Sequence, residues 1–261
     1  MSYFTIENSY VALTISNTGA EICSLKNQIE EMEYIWQGDP ASWEEHAPLL
    51  FPAVGDWKEN RYVYKEKMYE MPLHGFARTQ KFTVRQEGQS LCCTLYDNEE
   101  TWQFYPFHFC LEIRYSLDRN VVHVEQYIQN RGEETMPYSI GEHMGFRVPL
   151  FASERYEDYW IELEKMEQAG RYPLLDGSTI GDPIPCLENE AQIRLDRNMF
   201  ASGAWNFEGL RSERVCLKNS RNSHRILLDF PGFTHFSLWS MPGAPFLCME
   251  PCNGIAASKE E

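Results

Sequence analysis

Positive charge is what this sequence is short of: 39 Asp and Glu stand against 23 Lys and Arg, for a net charge of −16. Nucleic acids and anionic membrane surfaces are bound through Lys and Arg, so neither is expected as a partner. No apolar run approaches the ~18–20 residues a membrane-spanning helix needs. The opening Met1-Ser2-Tyr3-Phe4-Thr5 runs straight into strand-like sequence, with no basic-then-apolar leader. The expected location is therefore the cytoplasm, where the eight cysteines stay reduced. Metal-site spacing is also missing. Cys92-Cys93 reads as strand, and Cys248 and Cys252 form a close pair with no second pair or nearby His to complete a zinc site. No structural metal is expected, and at 261 residues the chain can bury a core that needs none. Internal repeats, low-complexity stretches and charged linkers are absent, which predicts a single domain over residues 1–261.

Helix signals are few: one turn over Ser42–His46 and another over Asp196–Ala201. What the chain has instead is period-two alternation and aromatics, with 7 Trp, 14 Tyr and 15 Phe. Phe109, Leu111, Ile113, Tyr115 and Leu117 alternate with polar residues, as do Val122, Val124 and Ile128 beyond the turn Asp118-Arg119-Asn120. That pattern is an antiparallel hairpin. Strands are predicted at Val11–Ser16, Tyr62–Tyr64, Lys67–Glu70, Lys81–Gln86, Leu91–Tyr96, Tyr138–Val148, Trp160–Glu164, Val215–Lys218, Arg225–Phe230 and His235–Trp239. Strands spaced by roughly 8–12 residues predict an all-β sandwich or barrel. Leu174–Glu190, rich in Gly, Pro and Asp, reads as a long loop.

Four segments interrupt the alternation. Trp43 through Asp56 carries Pro48, Pro52 and Gly55 around an apolar run, the mark of a rigid loop packed onto a sheet. Pro72-Leu73-His74-Gly75-Phe76-Ala77-Arg78 sets a histidine beside a glycine that admits close approach, with an arginine fork nearby. In Gly141-Glu142-His143-Met144-Gly145-Phe146-Arg147-Val148-Pro149, glycines bracket His143 on a strand, a pattern that marks close approach by a ligand. Gly243-Ala244-Pro245-Phe246-Leu247-Cys248-Met249-Glu250-Pro251 ends a buried apolar run on a carboxylate. Such a group needs a partner or its pKa rises, and either outcome suits a general base.

In this order and spacing the four segments resemble the aldose 1-epimerase (galactose mutarotase-like) family, above all its short bacterial LacX-like branch. The likeness spans essentially the whole chain. It implies an antiparallel β-supersandwich with its site in a cleft on one face. It also implies that Glu250 is the catalytic base and His143 the acid. His74 matches a second histidine near the sugar ring oxygen, and Arg78 falls where related hexose-phosphate epimerases bind substrate. The implied reaction opens an aldose ring at C1 and recloses it as the other anomer, with no cofactor. Trp43, Phe146 or Trp239 offers an apolar wall for the sugar.

The chain departs from the family pattern at three places. Asp56 stands where an arginine usually contacts the sugar. Gly203 replaces an aspartate, with Asp196 nearby as a substitute. Glu142 and Met144 replace a small residue and a proline around His143. A retained proton-transfer pair amid altered contacts predicts changed specificity, and Asp56 disfavours a phosphorylated sugar. The alternatives are a hexose-6-phosphate 1-epimerase and a non-catalytic carbohydrate sensor. The partner in every case is a small-molecule sugar, and the chain is a monomer or homodimer.

Overall fold

The computed structural model describes residues 1–175 and 179–256. It is built almost wholly from antiparallel strands, in four sheets and two small hairpins. Tyr3–Glu7, Val11–Ser16, Ile22–Asn27 and Met32–Glu33 form a meander at the N-terminal end. Thr83–Glu87, Ser90–Tyr96, Phe109–Asp118 and Val121–Asn130 form a second. The alternation read from the sequence sets the register of its outer hairpin, where Phe109 faces Asn130 and Asp118 faces Val121. The alternate apolar residues from Phe109 to Tyr115 are buried, as a half-covered sheet requires. A third sheet runs Ile184–Arg194, Tyr159–Arg171, Arg214–Asn219, Arg225–Asp229.

The site belongs to the fourth, central sheet. Its order is Trp205–Glu208, His235–Trp239, Phe246–Asn253, Ile140–Glu142 and Leu49–Leu50, with Met144–Arg147 also paired to Phe246–Asn253. Seven of the eight residues of Phe246–Asn253 are buried, because both its faces are covered. Leu247 and Met249 turn toward the main core, while Phe246 and Cys248 pack with Trp36 and Ala244 on the other side. In the main core Phe51 meets Phe76, Phe109 and Tyr105 with ring centroids 6.3, 5.4 and 6.2 Å apart.

Four expectations are corrected. The predicted strand Tyr138–Val148 is two strands, Ile140–Glu142 and Met144–Arg147, interrupted at His143, whose N–H donates to the Pro48 carbonyl at 3.1 Å. Leu174–Glu190 is not one loop. It contains the paired strands Leu174–Leu175 and Thr179–Ile180 and the start of Ile184–Arg194, while residues 176–178 lie outside the described residues. Pro185 is tolerated there because Ile184–Arg194 is an edge strand. Ser42–His46 forms no helical turn. The N–H groups of His46 and Ala47 are taken by the Glu21 carboxylate, and the Trp43 carbonyl by the Trp36 indole. Asp196–Ala201 forms successive turns closed by Met199 N–H to Asp196 and Ala201 N–H to Asn198.

Candidate active site

Strand register builds the site. Gly141 pairs with Cys252 and Met144 with Met249, and that constant register sets His143 opposite Glu250. On the other side Ser237 pairs with Glu250, and Asn206 with Ser237. A polar row thus crosses four strands on one face of the central sheet. His143 Nε2 lies 3.3 Å from Glu250 Oε1. The residues are 8% and 6% exposed, and the contact is not aligned as a hydrogen bond. Glu250 Oε1 and His143 Nδ1 are both buried without a hydrogen-bond partner among the described residues. Buried polar atoms are almost always paired, so two orphans on one touching pair mark a place where something else binds.

Burial disfavours the charged form of both groups. It raises Glu250 to about 8, and it lowers His143 to about 4 with help from the Arg78 charge. At neutral pH the pair therefore carries one shared proton and no net charge. His74 lies ring-to-ring 5.4 Å from His143. Its backbone N–H donates to the Gly55 carbonyl at 2.9 Å, and its ring Nδ1 accepts the Gly55 N–H at 3.0 Å. Burial, then the His143 and Arg78 charges, pushes its pKa well down. The ring is therefore neutral, with its hydrogen on Nε2. Gly75 makes this possible: a Cβ there would lie 2.2 Å from the Phe51 carbonyl oxygen.

Aromatic rings wall the pair. Trp43 stands 5.1 Å from the His143 ring, 5.3 Å from Phe246 and 5.6 Å from Trp239. Trp239 is 5.5 Å from His143. Phe146, by contrast, belongs to the main core. The glycines around His143 make room for neighbouring side chains, Gly145 for this wall and Gly141 for Cys252. A Cβ on Gly145 would meet Trp43 Cζ3 at 2.7 Å, and one on Gly141 would meet Cys252 Sγ at 2.4 Å.

The remaining sequence candidates are placed less simply. Arg78 Nη1 donates to both Glu45 oxygens, at 2.9 and 2.8 Å, so its charge is already paired. Asp56 accepts the N–H of Trp57, and among the described residues no hydrogen bond or ion pair links it to His143, Glu250, His74 or Arg78. Gly203 lies near Leu174 in a turn closed by its N–H on the Phe200 carbonyl, and Asp196 accepts the Asn198 N–H in the turn before it. Glu142 faces away from His143 and is bound by Gln126 Nε2 at 2.6 Å. Sequence reasoning missed Ser237, whose Oγ donates to Asn206 Oδ1 at 2.7 Å, and the partner role of Glu45. Ser237 gives no sequence signal, since its place depends on strand register alone.

The class this fold and site define is an antiparallel β-protein with a buried imidazole–carboxylate pair beneath an aromatic wall. The family model described as aldose 1-epimerase matches residues 2–252. The plasmid-encoded protein LacX of Lactococcus lactis subsp. lactis is 31% identical over 269 residues, covering 98% of this chain and 89% of that one. A galactose mutarotase related enzyme from Lactobacillus acidophilus superposes with a TM-score of 0.93 at 33% identity, over 100% of this chain and 88% of that one. A galactose mutarotase-like protein from Lactobacillus casei gives 0.91 at 30%, over 98% and 91%. The chain belongs to the aldose 1-epimerase family, and its enzyme class is isomerase.

Proposed function

We propose that the protein interconverts the α and β anomers of a free aldose, with Glu250 as base and His143 as acid. The observation that carries this is the buried pair at 3.3 Å, each member retaining an unpartnered polar atom. Glu250 takes the anomeric hydroxyl proton while His143 protonates the ring oxygen. The C1–C2 bond rotates, and closure runs the same transfers backwards. Each positioned group is worth about 10²–10⁴ in rate. The active distribution of the shared proton is carboxylate and imidazolium. Sugar hydroxyls donating to Glu250 favour it over the uncharged one. His74, neutral and with Nε2–H, donates to the sugar near its ring oxygen. Trp43 and Trp239 hold its apolar face.

Pairing of Arg78 with Glu45 supports a neutral sugar over a phosphorylated one, since a phosphate needs an uncommitted cation. Asp56 we assign to the rim of the site, where it shapes specificity. We also read the chain as one domain, because a single core cluster draws on all four sheets, and as a cytoplasmic protein.

Saturation-transfer NMR over a panel of aldoses tests the proposal. Wild-type protein is expected to exchange the anomers of at least one sugar about 10²-fold or more faster than Glu250→Ala. Equal rates for the two proteins on every sugar would overturn it. Exchange confined to hexose 6-phosphates would reassign the substrate.

A further inference from the structure

Outside the sugar site, three metal-ligating side chains converge where no function has been assigned. Glu21 precedes the strand Ile22–Asn27, Cys23 lies within it, and His46 ends the segment that carries Trp43 and Glu45. One ligand atom from each lies within 4.8 Å of the other two. His46 Nδ1 is 3.5 Å from Glu21 Oε1, and Cys23 Sγ is 3.9 Å from Glu21 Oε2. Donors around a tetrahedral zinc ion, at about 2.0 Å for N and O and about 2.3 Å for S, are separated by roughly 3.3–3.8 Å. The His46–Glu21 and Cys23–Glu21 separations, to the two oxygens of the one carboxylate, are near that spacing before any ion enters, and the third lies within 4.8 Å.

Two further features point to a ligand. His46 Nδ1 is buried with no hydrogen-bond partner among the described residues, although it faces a carboxylate. The donors are also held from behind. Glu21 Oε1 accepts the N–H groups of His46 and Ala47 at 2.7 and 3.1 Å, and Gln37 Nε2 donates to the Cys23 carbonyl at 3.0 Å. A Cβ on Gly38 would lie 3.2 Å from Cε1 and Nε2 of His46, so this close seat for the ring requires glycine. Such supporting contacts orient first-contact ligands at metal sites.

We propose that Glu21, Cys23 and His46 bind a thiophilic divalent cation of the zinc type, with water in the fourth position. The water reaches the ion because Glu21 and His46 side chains keep 16% and 24% of their surface exposed. Sulfur, imidazole and one carboxylate select zinc or cobalt over magnesium or calcium, which prefer oxygen donors. On binding, the Cys23 thiol gives up its proton to solvent and the thiolate takes the ion. The ion fastens the segment bearing Trp43 and Glu45 to the N-terminal sheet, behind the sugar site rather than in it. Sequence spacing conceals the site because its donors come from two separated segments.

Cobalt(II) titration of the reduced, metal-free full chain tests the proposal. Tetrahedral cobalt absorption with a thiolate charge-transfer band is expected at one equivalent. His143, Cys248 and Glu250 form a second possible cluster, so Cys248→Ser is the control. It is expected to keep the band, while Cys23→Ser loses it and His46→Gln binds at least about tenfold more weakly. Zinc should displace the cobalt and, at 100 times its Kd, shift the unfolding equilibrium by about 100-fold. No band in wild type, a band surviving in Cys23→Ser, or a band lost only in Cys248→Ser would each sink the proposal. Circular dichroism checks the fold of Cys23→Ser, and His46→Gln gives an independent reading if that variant unfolds.

Discussion

His74 is fixed by two hydrogen bonds that both run to Gly55, and its backbone is in the left-handed region at φ 63°. Among non-glycine residues, His, Asn and Asp adopt that region most readily. Stability and chemistry can therefore be separated at this position. His74→Asn keeps a residue suited to the backbone and an oxygen able to accept the Gly55 N–H. Its melting temperature is expected to stay within about 2 °C of wild type, which is at most about 1 kcal/mol for a chain of this size. Its kcat is expected to fall by about 10-fold or more, since the Nε2–H donor is gone. His74→Leu is expected to lose stability as well, because a branched apolar residue does not suit φ 63°. Full activity in His74→Asn would remove His74 from the reaction. At this scale the sequence was readable for identity but not for partnership. His143, Glu250 and His74 stood out beside their glycines and apolar runs. The Arg78–Glu45 pair joins residues 33 apart, and nothing in local spacing announces it.

Among the elements, legibility followed how many faces of a strand are covered. Phe109–Asp118 has one face in the core and one half-exposed, so its alternation could be read directly. Phe246–Asn253 is covered on both faces, so its apolar run showed burial but not register. Register is what brings His143 to Glu250, which is why the pair could be named from sequence but not placed. The break at His143 had no pattern of its own in the sequence. Gly145 tests the packing that results. Added to Gly145, a Cβ would meet Trp43 Cζ3 at 2.7 Å and the His46 carbonyl oxygen at 2.9 Å, and backbone cannot swing aside as a side chain can. Gly145→Ala is expected to destabilise the protein by about 1–3 kcal/mol. It should also displace Trp43 from His143 and raise KM more than it lowers kcat. Tryptophan fluorescence and steady-state anomerisation check this. Unchanged stability and KM would mean that Trp43 is not seated by the sheet.

At the scale of the whole molecule, burial of acid and base groups ties folding to pH. Glu250 and Glu142 are raised from 4.5 to about 8 and about 7, in each case first by burial. Between pH 4.5 and those values the folded chain holds protons that the unfolded chain has released. Their contribution is complete below 4.5 and is lost as pH climbs through 7 and 8. His143 works in the opposite sense. Lowered from 6.5 to about 4, it is neutral in the fold while the unfolded chain is protonated. Its penalty on folding fades as pH rises to 6.5. Between about pH 4.5 and 6.5 the rising His143 contribution offsets one of the two falling carboxyl contributions, and above 6.5 it no longer opposes either. The net charge of −16 adds self-repulsion of the same sign. Urea unfolding is therefore expected to show lower stability at about pH 8.5 than at about pH 6.5. In Glu250→Gln the decline should be shallower, by up to about 1.4 kcal/mol per pH unit for the one proton removed. The variant should be the more stable protein at the alkaline end, even though it is the less active one. Parallel curves for the two proteins would show that Glu250 titrates as an ordinary carboxylate. Its proton would then not be shared with His143, and the acid–base pair would need another source of its proton.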